Sequence, residues 1–139
     1  NVVAGRIANR LDFGGTNCRA GRPPRPSPRP GAFFPPAPPF WADPRLLRDD
    51  AAAARLAERL GKHNALVMRG NGAVVAADSL ERAVVLSWFL EDAARVEREV
   101  RAMGFAPDSG VLDADEIAAR QVWAGGVVER MWAYLTTPA

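Results

Sequence analysis

Few side chains in this sequence could ligate a metal or act as a nucleophile. It holds one histidine, His63, and one cysteine, Cys18. A catalytic zinc takes three protein ligands and keeps one position open, so one imidazole is too few to build such a site. A single thiol excludes an internal disulfide framework and fits a reducing, cytoplasmic location. Three further positions have the right chemistry for a site. Asn71, framed as Gly70-Asn71-Gly72, could donate to and accept from a carboxylate or carbonyl, although Gly-Asn-Gly is equally ordinary turn chemistry. Arg69, at the end of an apolar run, could meet an anionic substrate group. Glu91 is spaced to pair with Arg95 one helical turn on. His63 follows Lys62, the sole lysine, and reads as part of a solvent-facing loop.

These residues need a scaffold, and 139 residues suffice for one domain with one core. With 48% hydrophobic and 24% charged residues, the balance is that of a globular protein. The longest apolar run, Ala83 to Leu90, is too short to span a bilayer and reads as a buried helix segment. No secretory signal is read at the N-terminus. The net charge is +2, and the basic excess is confined to residues 1–50, without the aromatic platform or reading helix of a nucleic-acid binder. Partners of those two classes, nucleic acid and membrane, are therefore not expected.

Prolines crowd between Pro23 and Pro44. The stretch Gly21 to Gly31 has few backbone donors and should be extended and polyproline-like. Residues 1–31 form an irregular N-terminal segment with an Arg/Pro-rich connector, and residues 32–139 form the patterned domain. Arg45 to Leu60 predicts a helix with a stripe at Leu46, Leu47, Ala51, Ala54, Leu56 and Leu60, ended by Gly61. Ala65–Arg69 and Ala73–Ala77 predict a tight hairpin across Gly70-Asn71-Gly72. Asp78-Ser-Leu-Glu81 predicts the capped start of a long helix that ends at Gly104. Its stripe runs through Leu86, Phe89, Leu90, Ala93, Val96, Val100 and Met103, with its first half, including Val84 and Trp88, buried nearly all round. Asp113-Ala-Asp-Glu116 repeats the capping pattern and opens a last helix through Ile117, Val122 and Trp123. Gly125-Gly126 breaks that helix before Val127–Leu135 resumes it.

Three of these stretches, in this order, carry a resemblance: Ala65-Leu-Val-Met-Arg-Gly-Asn-Gly-Ala-Val-Val75, Ser79-Leu-Glu-Arg-Ala83 and Leu90-Glu-Asp-Ala-Ala-Arg-Val96. Together they resemble the C-terminal half of a class II aldolase/adducin-type domain, with Asp43 to Leu47 and Leu56 to Gly61 also similar. The resemblance implies an α/β (α+β) fold, a short β-sheet flanked by helices, preceded here by the proline-rich irregular segment. It implies homo-oligomers, commonly tetramers, and carbon–carbon lyase chemistry: aldol cleavage or decarboxylation of a small oxygenated acid or sugar phosphate on a divalent metal, commonly zinc. Three histidines hold that metal in the family. Asn71 occupies the position of the third, and no upstream histidine pair is present in these residues. The resemblance thus implies substrate contacts at Asn71 and Arg69, no family metal bound by this chain alone, and subunit contacts at Trp123, Arg130, Trp132 and Tyr134. The alternative it offers is a non-catalytic, adducin-like oligomerisation or interaction domain.

One other motif competes. Leu11-Asp-Phe-Gly-Gly-Thr-Asn17 resembles the phosphate-binding hairpin of sugar kinases in the actin-like ATPase class, but prolines follow where a strand should, and it reads as a turn.

Overall fold

The computed structural model describes residues 3–5, 29–106 and 110–137. The kinase-like heptad Leu11–Asn17, Cys18 and most of the Arg/Pro run lie outside the described residues. A four-stranded sheet in the order β1-β4-β3-β2 forms the centre, from β1 (Val3–Gly5), β2 (Phe40–Trp41), β3 (Ala65–Met68) and β4 (Gly72–Ala77). The helices are α1 (Asp50–Leu60), α2 (Leu80–Ala102), α3 (Ala114–Arg120) and α4 (Val127–Thr136).

Strand β3 pairs antiparallel with β4, Leu66 facing Val74 and Met68 facing Gly72, and parallel with β2 on its other edge. Pro39 and Trp41 accept from the amides of Val67 and Arg69 at 2.9 Å each. The prolines before Phe40 are tolerated because β2 is an edge strand. All four β3 residues are buried, which explains an unbroken Ala-Leu-Val-Met where a half-exposed strand would alternate. One face is covered by α1: Leu56 and Leu60 pack on Leu66 and Met68, with Trp41, Leu47, Val74 and Ala76 around them. The other face is covered by α2, whose Leu86 and Leu90 meet Ala65, Ala73, Val75, Phe33 and Phe34. The expected α/β architecture is thus a thin sheet between two helical layers.

Several local expectations are corrected. Residues 45–48 are not helical; α1 begins at Asp50 because Asp49 accepts from the Ala52 amide at 2.6 Å and caps it. Its buried stripe is Ala52, Leu56 and Leu60, while Leu46 is 51% exposed. The cap of α2 is Ser79, which accepts from Arg82 N–H at 3.2 Å, and Asp78 pairs instead with the Arg82 side chain at 2.5 Å. Trp88 is 45% exposed, so the burial expected around the first half of α2 is broken at that position. Ser87 is buried there because its hydroxyl donates to the Ala83 carbonyl at 2.8 Å. The Asp113–Glu116 capping box forms in both directions at 2.9 and 3.0 Å. Even so, α3 stops at Arg120, leaving Val122 and Trp123 in the connection to α4.

The two described pieces of the N-terminal segment form regular elements. Val3–Gly5 extends the sheet by pairing with the outer edge of β4, where three extended residues satisfy groups an edge strand leaves open. Arg29–Phe33 forms a 3-10 turn instead of polyproline. It delivers Phe33 and Phe34, 4% and 5% exposed, into the core under α2. Replacing Phe33 with Ala is expected to lower unfolding free energy by about 3–5 kcal/mol, the range for a large aromatic lost from a core. Met103→Ala should change it by less than about 0.5 kcal/mol, since Met103 is 66% exposed. Urea unfolding of both variants measures the difference.

Candidate functional site

The hairpin turn closing β3 and β4 is where the chemistry-bearing residues meet. Gly70 and Gly72 take φ of +76° and +79°, a region that favours glycine, and so reverse the chain around Asn71. The Asn71 side-chain amide donates to the Pro44 carbonyl at 2.9 Å. That bond ties the segment leaving β2 to the tip of the hairpin. Arg69 is anchored by its main-chain N–H on the Trp41 carbonyl, while its side chain is exposed and has no hydrogen bond or ion pair among the described residues.

Asp43 and Arg45 flank Pro44. Arg45 grips both carboxylate oxygens of Asp43 through its side chain, at 2.6 to 3.0 Å, and its backbone N–H adds another bond at 3.0 Å. The guanidinium hydrogen bonds, then the backbone one, hold the Asp43 carboxyl down at about 2. This pair was not read from the sequence; the only trace of it there is an acid and a base two residues apart around a proline.

The turn therefore offers a free guanidinium at Arg69, an amide nitrogen committed to Pro44, one amide oxygen at Asn71, and a carboxylate committed to Arg45. This donor set does not fit a zinc ion, which wants imidazole or thiolate at tetrahedral positions. His63 cannot supplement it. Its backbone N–H bonds Leu60 O in the α1–β3 connection, so the whole of β3 lies between it and Asn71. Among the described residues no three His, Cys, Asp or Glu gather into a cation-binding group.

The remaining candidate residues are dispersed. Arg95 pairs with Asp92 and, at 3.4 Å, with Glu99; the expected Glu91–Arg95 pair does not form, because Asp92 and Glu99 sit nearer the guanidinium. Trp123, expected at a subunit contact, is packed within the chain. Its ring lies 4.6 Å from Phe33 and 6.5 Å from Phe89, with the Arg82 guanidinium 5.3 Å over it. Its partner Phe33 comes from the proline-rich stretch, where sequence patterning gave no hint of a core residue. Arg130 bonds the Gly125 carbonyl through its guanidinium. Trp132 is half-buried and Tyr134 exposed. His63 lines a small cleft with Lys62, Asn64, Asp78, Arg82 and Trp123 at the open end of the hairpin.

Residues 37–97 match the Class II Aldolase and Adducin N-terminal domain model. No curated protein matches the chain. Among solved structures, the fold is similar to an aldolase II superfamily protein from Pseudomonas syringae, with TM-score 0.66 and 20% identity, covering 96% of this chain and 53% of that one. It is also similar to an L-fuculose 1-phosphate aldolase from Glaciozyma antarctica PI12, with TM-score 0.62 and 15% identity over 88% and 49% of the two chains. YgbL from Escherichia coli gives TM-score 0.52 and 21% identity over 81% and 53%. The chain spans about half the length of each of these structures. Residues 37–97 are thus similar to that domain model, and the fold of the chain is similar to that of class II aldolase superfamily structures.

The Asp43 carboxyl gives a direct check on the turn. Its proton is bound less tightly folded than unfolded, so the Arg45 contact adds stability above the ordinary carboxylate range and loses it as pH falls toward about 2. Carboxyl NMR should show Asp43 titrating with a midpoint near 2, and Arg45→Gln should bring that midpoint up toward the ordinary value.

Proposed function

We propose that these residues act as the scaffold and assembly portion of a class II aldolase-type protein, a non-catalytic, adducin-like role, and do not by themselves perform metal-dependent lyase chemistry. The observation that carries this reading is the bond from Asn71 to Pro44. At the position that resembles a metal-bound imidazole in the family, the side chain is used to hold two segments together. The exposed Tyr134 and half-buried Trp132 on α4 fit a subunit contact, since aromatic side chains are favoured at the centres of interfaces.

A second reading has one observation in its favour. Arg69 presents a guanidinium beside the turn that is unpaired among the described residues, which suits the phosphate or carboxylate of a lyase substrate. On that reading the chain is part of a carbon–carbon lyase for a small oxygenated acid or sugar phosphate, with zinc held by histidines beyond the residues given and Asn71 reduced to a hydrogen-bonding role.

Metal analysis of the purified chain after zinc loading and dialysis separates the two. The scaffold reading predicts far less than stoichiometric zinc, both for the wild type and for Asn71→His, since one added imidazole still leaves the set incomplete. About one zinc per wild-type chain, with aldol cleavage or decarboxylation on adding it, would overturn that reading. Sedimentation at micromolar concentration should show an oligomer, and a monomer would remove the assembly role.

A further inference from the structure

A wide concavity is remote in sequence from the hairpin turn, and neither Asn71 nor Arg69 lines it. It has a volume of about 940 Å³ and lies where α2, the end of α3, the α3–α4 connection and α4 come together. A drug-sized molecule occupies a cleft of roughly 300–1,000 Å³. Trp88 and Asp92 lie one turn apart on α2 and face it with Phe89, while Val127, Arg130 and Met131 share one face of α4. Phe33 forms part of the wall, and Ala119, Arg120, Val122 and Ala124 complete the rim.

Charge decides what this groove fits. Asp92 is the one acid lining it among the described residues, and its carboxylate is already paired with Arg95. Arg130 gives one guanidinium nitrogen to Gly125 O and retains its other donors. The side chain of Arg120, exposed at the end of α3, has no hydrogen bond or ion pair among the described residues. Two cations therefore border an apolar wall on which Trp88 is 45% exposed and Val122 48%. An apolar molecule would leave the guanidiniums unused, and inorganic phosphate would leave the aromatic wall wet.

We infer that this groove binds small carboxylates with an aromatic or aliphatic body, the body lying on Trp88 and Phe89 and the carboxylate meeting Arg120 and Arg130. The site is independent of the hairpin turn, so its existence does not depend on whether the family's lyase chemistry operates.

1-Naphthoate is a suitable probe, with 1-naphthalenemethanol as its uncharged counterpart, titrated calorimetrically against the full chain. Saturable naphthoate binding is expected, weakened about fivefold in Arg120→Gln, as for loss of one solvent-exposed charge contact. The alcohol should bind the wild type more weakly than naphthoate and be indifferent to Arg120→Gln. Trp88→Ala should weaken both ligands, and Arg55→Gln, on the exposed face of α1, should weaken neither. All of these variants change exposed side chains, so unfolding does not confound the comparison. Absence of saturable binding, or equal naphthoate affinity in Arg120→Gln and wild type, would overturn the inference.

Discussion

Everything in this fold depends on β3 being covered on both faces and paired on both edges. Four consecutive apolar residues cannot face water on either side, so the chain must supply a helix for each face and a strand for each edge. Leu66 and Met68 take α1; Ala65 takes α2 together with Phe33 and Phe34. The prolines ahead of Phe40 then have a structural use. They end as an edge strand whose carbonyls receive the β3 amides, and they carry the two phenylalanines into the core just before it.

The same constraint fixes the candidate site. Because β3 is short and fully buried, its two ends are the places where polar chemistry can emerge. His63 is at one end, and Arg69 and Asn71 are at the other. The single imidazole is thereby separated from the turn that resembles the family's ligand position. At that turn the geometry favours structural bonding: the Asn71 amide on Pro44, with Asp43 locked to Arg45 beside it. The Asn71 amide nitrogen is committed to the backbone across the turn, its oxygen is a weak ligand for zinc, and the Arg69 side chain has no hydrogen bond or ion pair among the described residues.

Much of this was legible in the sequence where the signal was local. The hairpin followed from two apolar runs around Gly70-Asn71-Gly72, and the α3 cap from Asp113 and Glu116, because turns and caps are decided by nearest neighbours. The long helix was also clear, but its cap was misplaced by one residue. Asp78 and Ser79 are both good caps, and only the Asp78–Arg82 pair in the folded chain decides between them. What the sequence did not reveal was non-local. Nothing around Phe33 marks it as the partner of Phe89 and Trp123, and helical periodicity carried Val122 and Trp123 into α3, although Trp123 is held by packing from two other elements. The candidate position itself, Asn71, was legible; its partner Pro44, twenty-seven residues earlier, was not.

The commitment of Asn71 is the point on which the functional account turns, and its side-chain amide can be observed directly. In nitrogen-15 NMR spectra, the account predicts an Asn71 amide shifted by a hydrogen bond, protected from exchange, and unmoved when zinc is added. An amide exchanging freely with water, or one that shifts on zinc addition, would contradict it and return the turn to metal chemistry.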